Sequence, residues 1–296
     1  MTVTELQKMF LPAIAPEDFF ILLAHATKKK KVFFLAHPEY ALDPKDETLA
    51  RDYFRRRLKH EPIAYIVGHK EFYGYDFLVT QDTLIPRPET ELLVESALKH
   101  ASTKSQQLTV NNKQKLAIID VGTGSGNIII SIAKEIEKRY QVSGIRYYAA
   151  DFSEAALVIA RQNAKRHDGD GLIKFHKGDL LQPLDKKIFS TSEIVITANL
   201  PYLSHSLYDN TSEDVHAYEP REALLSERAG LDHYYRLLED IKSFHMQKHP
   251  ITLFLEISPE QRLPLQSFVL EFFPRAKMQI HEDLAQKERV VEIHIQ

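Results

Sequence analysis

An α/β fold built on a mainly parallel sheet, with a small helical domain ahead of it, is predicted by three features of the sequence. From Leu116 onward, short β-branched runs alternate with amphipathic helical patterns, as parallel strands joined by helical crossovers require. Near the C-terminus, Met278 to His281 and Val290 to Ile295 have no helix between them, so they pair as an antiparallel hairpin. Before about residue 70 the patterning is helical only. The 296 residues, 44% hydrophobic and 27% charged, suffice for two domains and a sizeable core.

The same sequence excludes several classes. No apolar run approaches the ~18 residues of a membrane span. The start, Met1 to Glu5, lacks the basic and apolar regions of a secretory signal. Without cysteine there is no disulfide framework, thiolate metal site or thiol nucleophile. These features together favour a cytoplasmic protein. A net charge of −3 argues against a broad electrostatic grip on nucleic acid.

In chain order, Pro16 with Glu17 and Asp18 opens a helix whose stripe is Phe19, Leu22, Leu23 and Ala26. Lys28 to Lys31 reads as a solvated helix end. Asp43 and Pro44 suit the N-cap and first position of a second helix. Its predicted inner face is Leu49, Tyr53, Phe54 and Leu58, and Pro62 stops it. Glu71 to Thr80 reads as a short hairpin around Gly74. In Leu84 to Glu91, Pro88 can start the next helix, with Arg87 either structural or facing a ligand. His100 to Lys115 is polar and aperiodic, and is expected to be an exposed loop.

Strands follow over 116–121, 146–150, 173–176, 194–198 and 252–257, with helices over 127–140, 153–167, 232–244 and 261–272. A long loop is expected from Ser204 to about Arg228. The domain reading is 1–70 helical, 71–86 a hairpin linker, and 87–296 the α/β domain.

Four stretches carry chemistry. Gly122-Thr123-Gly124-Ser125-Gly126 follows a strand and opens a helix, so its backbone can approach a ligand. Its spacing differs from the dinucleotide fingerprint, and it lacks the Gly-Lys-Ser/Thr of a P-loop. Asp151 ends the next strand, at about the interval where a carboxylate takes ribose hydroxyls. Asp179, after Gly178, is placed to accept from an adenine amino group or is a plain turn carboxylate. Asn199-Leu200-Pro201-Tyr202 ends a buried strand at the edge where open α/β sheets bind ligands. An amide or exocyclic amine is a poor nucleophile because its lone pair is delocalised. Accepting its N–H groups on the Asn199 oxygen and a fixed carbonyl orients that lone pair toward an electrophile. Tyr202 offers a face for stacking.

His245 and His249 stand four apart, but no zincin glutamate pattern accompanies them, and no Ser-His-Asp set can be assembled. The chemistry read here requires neither a metal nor a catalytic base.

These residues resemble the release factor glutamine methyltransferase family. The likeness runs from Glu61 to Gly68 through Thr83 to Glu91, the glycine loop, Asp151, Asn199 to Tyr202, and Glu219 to Leu224, ending at Glu288 to Val290. The Pro-Arg-Pro-Glu-Thr-Glu segment, with the preceding helical domain, is its family-specific part. The resemblance implies the Rossmann-like class I fold of methyltransferases that use S-adenosyl-L-methionine, with a mostly parallel seven-stranded sheet. It implies methylation at N5 of the glutamine in the Gly-Gly-Gln loop of class 1 peptide release factors, leaving S-adenosyl-L-homocysteine. Cofactor contacts are implied at Gly122, Thr123, Gly124, Ser125, Gly126, Asp151, Asp179, Leu180 and Asn199. The substrate glutamine and the catalytic contacts are implied at Asn199, Leu200, Pro201 and Tyr202. The helical domain is expected to dock the release factor, and the enzyme to act as a monomer.

The family usually has Asn-Pro-Pro-Tyr, whereas Leu200 stands here in place of the first proline. That substitution keeps the carbonyl and gives up backbone rigidity. Asn-Leu-Pro-Tyr is also similar to the motif of adenine-N6 methyltransferases, so methylation of rRNA or DNA adenine is the alternative. A non-catalytic binding protein is a third reading, disfavoured by intact Asn199, Pro201 and Tyr202.

Overall fold

The structure is a computed structural model, and it describes residues 1–111, 115–140, 144–244 and 249–296. His245 to Lys248 lie outside the described residues, so the histidine pair read in the sequence has no structural account.

The chain divides into two units. The smaller comprises Met1–His69 together with Thr211–Tyr218. It is made of helices Val3–Phe10, Pro16–Thr27, Lys31–Ala36, Pro44–Arg57, Ile63–Val67 and Glu213–Tyr218. Phe19, Leu22, Leu23 and Ala26 are all buried, as the stripe requires. Phe19 stacks on Phe54 with centroids 4.7 Å apart. The second long helix differs from expectation. Leu49 and Leu58 are exposed, and Ala50 and Phe54 hold its inner face. A helix touching its core along one narrow seam buries little beyond that line. Asp43 stands at the N-cap without a side-chain capping bond.

The larger unit spans Lys70–Asn210 and Glu219–Gln296. Strands β1 (His69–Phe72) and β2 (Tyr75–Leu78) form a two-stranded sheet. Tyr73 and Gly74 both have positive φ, the conformation of a tight hairpin turn. Phe72 and Phe77 are buried in the larger unit's core, so this hairpin packs with that unit. The main sheet contains β3 (Lys115–Val121), β4 (Ile145–Asp151), β5 (Ile173–Lys177), β6 (Ser192–Ala198), β7 (Ile251–Glu256), β8 (Lys277–Glu282) and β9 (Glu288–Ile295). Its order is β5-β4-β3-β6-β7-β9-β8, with β9 antiparallel to β7 and to β8. This is the class I methyltransferase arrangement, with the C-terminal hairpin as predicted.

Two stretches read as loops are not. Helix Glu91–Asn111 runs through most of the polar segment after His100. That segment contains neither glycine nor proline to end the helix. Between Ser204 and Arg228 the chain forms short helical pieces at His205–Asp209, Glu213–Tyr218 and Arg221–Ala223.

Register is what assembles the site. Val121 pairs with Ala150 on β4 and Ala198 on β6, and Ala198 pairs with Leu255 on β7. The next residues are therefore in step along the carboxyl edge of four adjacent strands, in the order Asp151, Gly122, Asn199, Glu256.

Candidate active site

A cavity of about 660 Å³ opens at that edge. Gly122, Thr123, Gly124, Ser125, Asp151, Asp179, Leu180, Asn199, Leu200 and Pro201 all line it. Two expected residues do not. A Cβ at Gly126 would stand 2.9 Å from Ile130 Cδ1 and 3.2 Å from Ala160 Cβ, so this glycine lets two helices meet behind the loop. Tyr202 instead extends its hydroxyl toward Glu256 Oε1 at 3.5 Å, and its carbonyl accepts from Gln261 Nε2 at 2.8 Å.

The glycine loop is held from below. Asp120, fully buried, accepts from Thr123 Oγ1 at 2.6 Å and from Thr197 Oγ1 at 2.8 Å. Burial pushes its carboxyl up to about 7, and the two hydroxyls oppose that rise. Asn163 accepts from the Leu78 N–H and donates to the carbonyls of Leu78 and Ser125, linking β2 to the loop. Gly124 has φ +54, and nothing lies within 4 Å of where its Cβ would be. Its backbone is therefore open to a ligand in the cavity.

Asp151 accepts from the N–H of Gly124 at 2.8 Å and of Ser153 at 2.9 Å. Burial raises its carboxyl and those two bonds counteract it. Ser153 caps the following helix, accepting from the Ala156 N–H at 3.2 Å, so Asp151 is not the cap. A carboxylate has about four acceptor sites, which leaves Asp151 capacity for a ligand's hydroxyls. Asp179 is paired with Arg236, a cavity-lining residue that the sequence does not flag. Leu180 holds φ +47, a strained conformation for a non-glycine residue.

Asn199 donates from Nδ2 to Thr90 Oγ1 at 3.0 Å. Its Oδ1 then remains as the acceptor of a cavity-lining amide. Leu200 is buried against Gly122, where a Cβ would stand 2.8 Å from Leu200 Cδ2. That buried side chain restrains the backbone at this position. Arg87 lines the cavity and is paired with the buried Glu219, whose other oxygen accepts from the Ile85 N–H at 3.2 Å.

Thr90, which lines the cavity, and Glu256, at the end of β7 beside it, are both 1% exposed and, like Arg236, are missed by sequence reasoning. Only the tertiary fold brings them to this edge, so no local pattern marks them. A second titratable cluster, His100, Glu292 and His294, does not line the cavity. His281 Nε2 and His294 Nε2 lie 2.8 and 3.0 Å from the Glu292 oxygens, which hydrogen bonds to one carboxylate explain.

Comparison with known proteins agrees with this geometry. Residues 11–68 match the family described as the PrmC N-terminal domain, and 112–222 a methyltransferase domain. The release factor glutamine methyltransferase of Bacillus anthracis is 30% identical, over 92% of this chain and 89% of that protein. Those of Enterococcus faecalis and Nitratidesulfovibrio vulgaris are 32% and 33% identical, covering 94% and 85% of their lengths and 95% and 92% of this chain. Among solved structures, the catalytic domain of hMettl16 bound to a MAT2A 3'UTR hairpin superposes with TM-score 0.54 at 15% identity. That match covers 95% of this chain and 92% of the other. It is a likeness of fold alone.

Proposed function

The chain belongs to the release factor glutamine methyltransferases, and from that membership we propose that it methylates N5 of the glutamine in the Gly-Gly-Gln loop of class 1 peptide release factors. It uses S-adenosyl-L-methionine. The observation that carries the reading is the Asn199 amide, whose nitrogen is fixed on Thr90 while its oxygen remains available beside the glycine loop.

The cavity fits the cofactor. Its volume lies within the range of ligand pockets. Gly124 leaves backbone open to it, and Asp151 has acceptor capacity for two ribose hydroxyls. When bound, S-adenosyl-L-methionine supplies a methyl group on a positively charged sulfur. This chain's residues position the acceptor. Asn199 Oδ1 and the Leu200 carbonyl accept the two N–H groups of the substrate amide, turning its lone pair toward the methyl carbon. Holding nucleophile and electrophile together supplies much of the rate. The amide nitrogen so held would take the methyl group as the donor sulfur gives it up, and the proton it sheds would leave to water.

Asp179 and Leu180 are assigned to the adenine side of the cavity, and Pro201 and Tyr202 to the substrate side. For Tyr202 the role is to secure the loop through its hydroxyl and carbonyl. The helical unit, which carries the match to the family's N-terminal domain, is assigned to release-factor docking. No helix among the described residues is long and apolar enough to cross a membrane. We place the enzyme in the cytoplasm as a monomer with no direct grip on nucleic acid.

Incubation with labelled methyl donor and a release factor, followed by mass spectrometry, is expected to find one added methyl on the loop glutamine. Label on rRNA or DNA adenine instead would establish the alternative substrate. Asp151→Ala is expected to weaken S-adenosylhomocysteine binding by about 10- to 100-fold, since charged hydrogen bonds contribute about 1.5–3 kcal/mol. Calorimetry measures this, and a Kd within threefold of wild type would remove Asp151 from the cofactor site.

A further inference from the structure

One face of the sheet, under helix Glu91–Asn111, carries a cluster that methyl transfer does not use. Along β9, Val291, Ile293 and Ile295 point into one hydrophobic core, so Val290, Glu292 and His294 alternate to the opposite face. Strand pairing adds Thr252 of β7 opposite His294, and His281 of β8 opposite Val290. His100 of the helix packs onto them, its ring centroid 5.6 Å from that of His294 and 5.8 Å from that of Phe254. Hydrogen bonds to Glu292 account for His281 and His294, whose Nε2 atoms lie 2.8 and 3.0 Å from its two oxygens. They do not account for His100. Its Nδ1 stands 3.7 Å from Glu292 Oε1, too far for a hydrogen bond, and its Nε2 is buried with no hydrogen-bond partner among the described residues. A proton on this ring would give a long ion pair and still leave Nε2 bare.

We propose that His100, Glu292 and His294 form a binding site for a divalent transition-metal ion of the zinc class. Ligand atoms of the three residues lie within 4.8 Å of one another. Two imidazoles and a carboxylate are a donor set that zinc takes. Donors held at about 2.0–2.1 Å around a tetrahedral ion stand about 3.3 Å from one another. Glu292 Oε1 lies 3.0 Å from His294 Nε2 and 3.7 Å from His100 Nδ1, on either side of that value. An ion between them gives Nδ1 of His100 the partner it lacks. It displaces to solvent the proton shared by His294 and Glu292, because ligands bind a metal deprotonated.

The surroundings suit this role. His294 Nδ1 meets Thr252 Oγ1 at 3.1 Å, and Glu292 Oε2 meets His281 Nε2 at 2.8 Å. Metal-binding histidines and carboxylates commonly have such partners on their remaining polar atoms, which fix the ring and the carboxylate in place. The His294 side chain is 36% exposed, so an ion can enter from solvent and water can complete its coordination. Lys277, opposite His294 on β8, is exposed, and solvent screens its charge. A shared ion would tie helix Glu91–Asn111 to β9. The cluster does not line the cavity, so the effect falls on stability. The inference is independent of the methyl-transfer reading.

The full chain, stripped with a chelator and freed of it, is titrated with Zn2+ by calorimetry. One ion per chain is expected at this site, with the melting temperature raised by roughly 5–10 °C at a free ion concentration 100 times Kd. His100→Ala and Glu292→Gln should each weaken binding about 100-fold or more, and Thr252→Val about 10- to 100-fold. Melts in chelator establish that each variant is folded. An ion held at wild-type affinity by folded His100→Ala would lie elsewhere and overturn the site, as would a wild-type Kd weaker than about 1 mM. A second measurement needs no variant. In wild-type protein labelled with 15N-histidine, paramagnetic Co2+ in place of Zn2+ should shift or broaden the ring resonances of His100 and His294 first. Unchanged resonances from these two rings, with Co2+ bound, would overturn the proposal.

Discussion

Replacing Asn199 by alanine is expected to lower kcat for methyl transfer by about 100-fold or more. The side chain lies at the end of β6 and lines the cavity, with one hydrogen bond to Thr90. Losing that bond costs about 1 kcal/mol, equivalent to roughly 2–4 °C in melting temperature for a domain of this size. The effect on turnover is far larger because the Asn199 oxygen meets the nitrogen that must attack. Without it, one N–H of the substrate amide has no acceptor, and the lone pair stays conjugated with its own carbonyl. KM for the release factor should change less than kcat, because the glutamine is one contact among those that dock a protein. Steady-state kinetics and a thermal melt together check this. A loss of only about twofold in kcat would count against the role given to Asn199.

Much of the site was legible because it lies where strands stop. The runs before Gly122, Asp151 and Asn199 are short and apolar, and each ends at a residue type unsuited to a buried strand interior. Parallel pairing with matched ends then brings them together without further information. What was not legible is what only the third dimension decides. Gly126 looks like part of one glycine loop, but Ala160, from the next helix, determines its use. Glu256 looks like the polar end of a strand, and it is buried because β9 and the Tyr202 loop cover it. Asp179 gave no sign of Arg236, which lies far along the chain. The helix through residues 100–111 escapes a reading based on apolar period, because its polar sequence has none, and only the lack of glycine and proline favours its continuing.

Gly230→Ala should impair stability and turnover together, although residue 230 does not line the cavity. Gly230 has φ +86, and a Cβ there would overlap the Tyr202 carbonyl oxygen and Gln261 Nε2 and stand 2.8 Å from the Tyr202 carbonyl carbon. Gln261 Nε2 donates to the carbonyls of Tyr202 and Ala229, so one added methyl group wedges apart the clamp holding the Asn-Leu-Pro-Tyr loop. Left-handed backbone costs a non-glycine residue about 1–2 kcal/mol, and overpacking a tight site adds about 1–3 kcal/mol. A total near 3 kcal/mol corresponds to a fall of roughly 6–12 °C in melting temperature. Gly68→Ala separates the two contributions. Gly68 has φ +82 with nothing within 4 Å of its Cβ position, so it should show the conformational cost alone. If the two variants melt alike and Gly230→Ala keeps full kcat, the clamp does not position the loop. A larger fall for Gly230→Ala, with kcat lost and cofactor affinity nearly kept, would show that the substrate side of the cavity is braced from behind by this crossing of backbone under Tyr202.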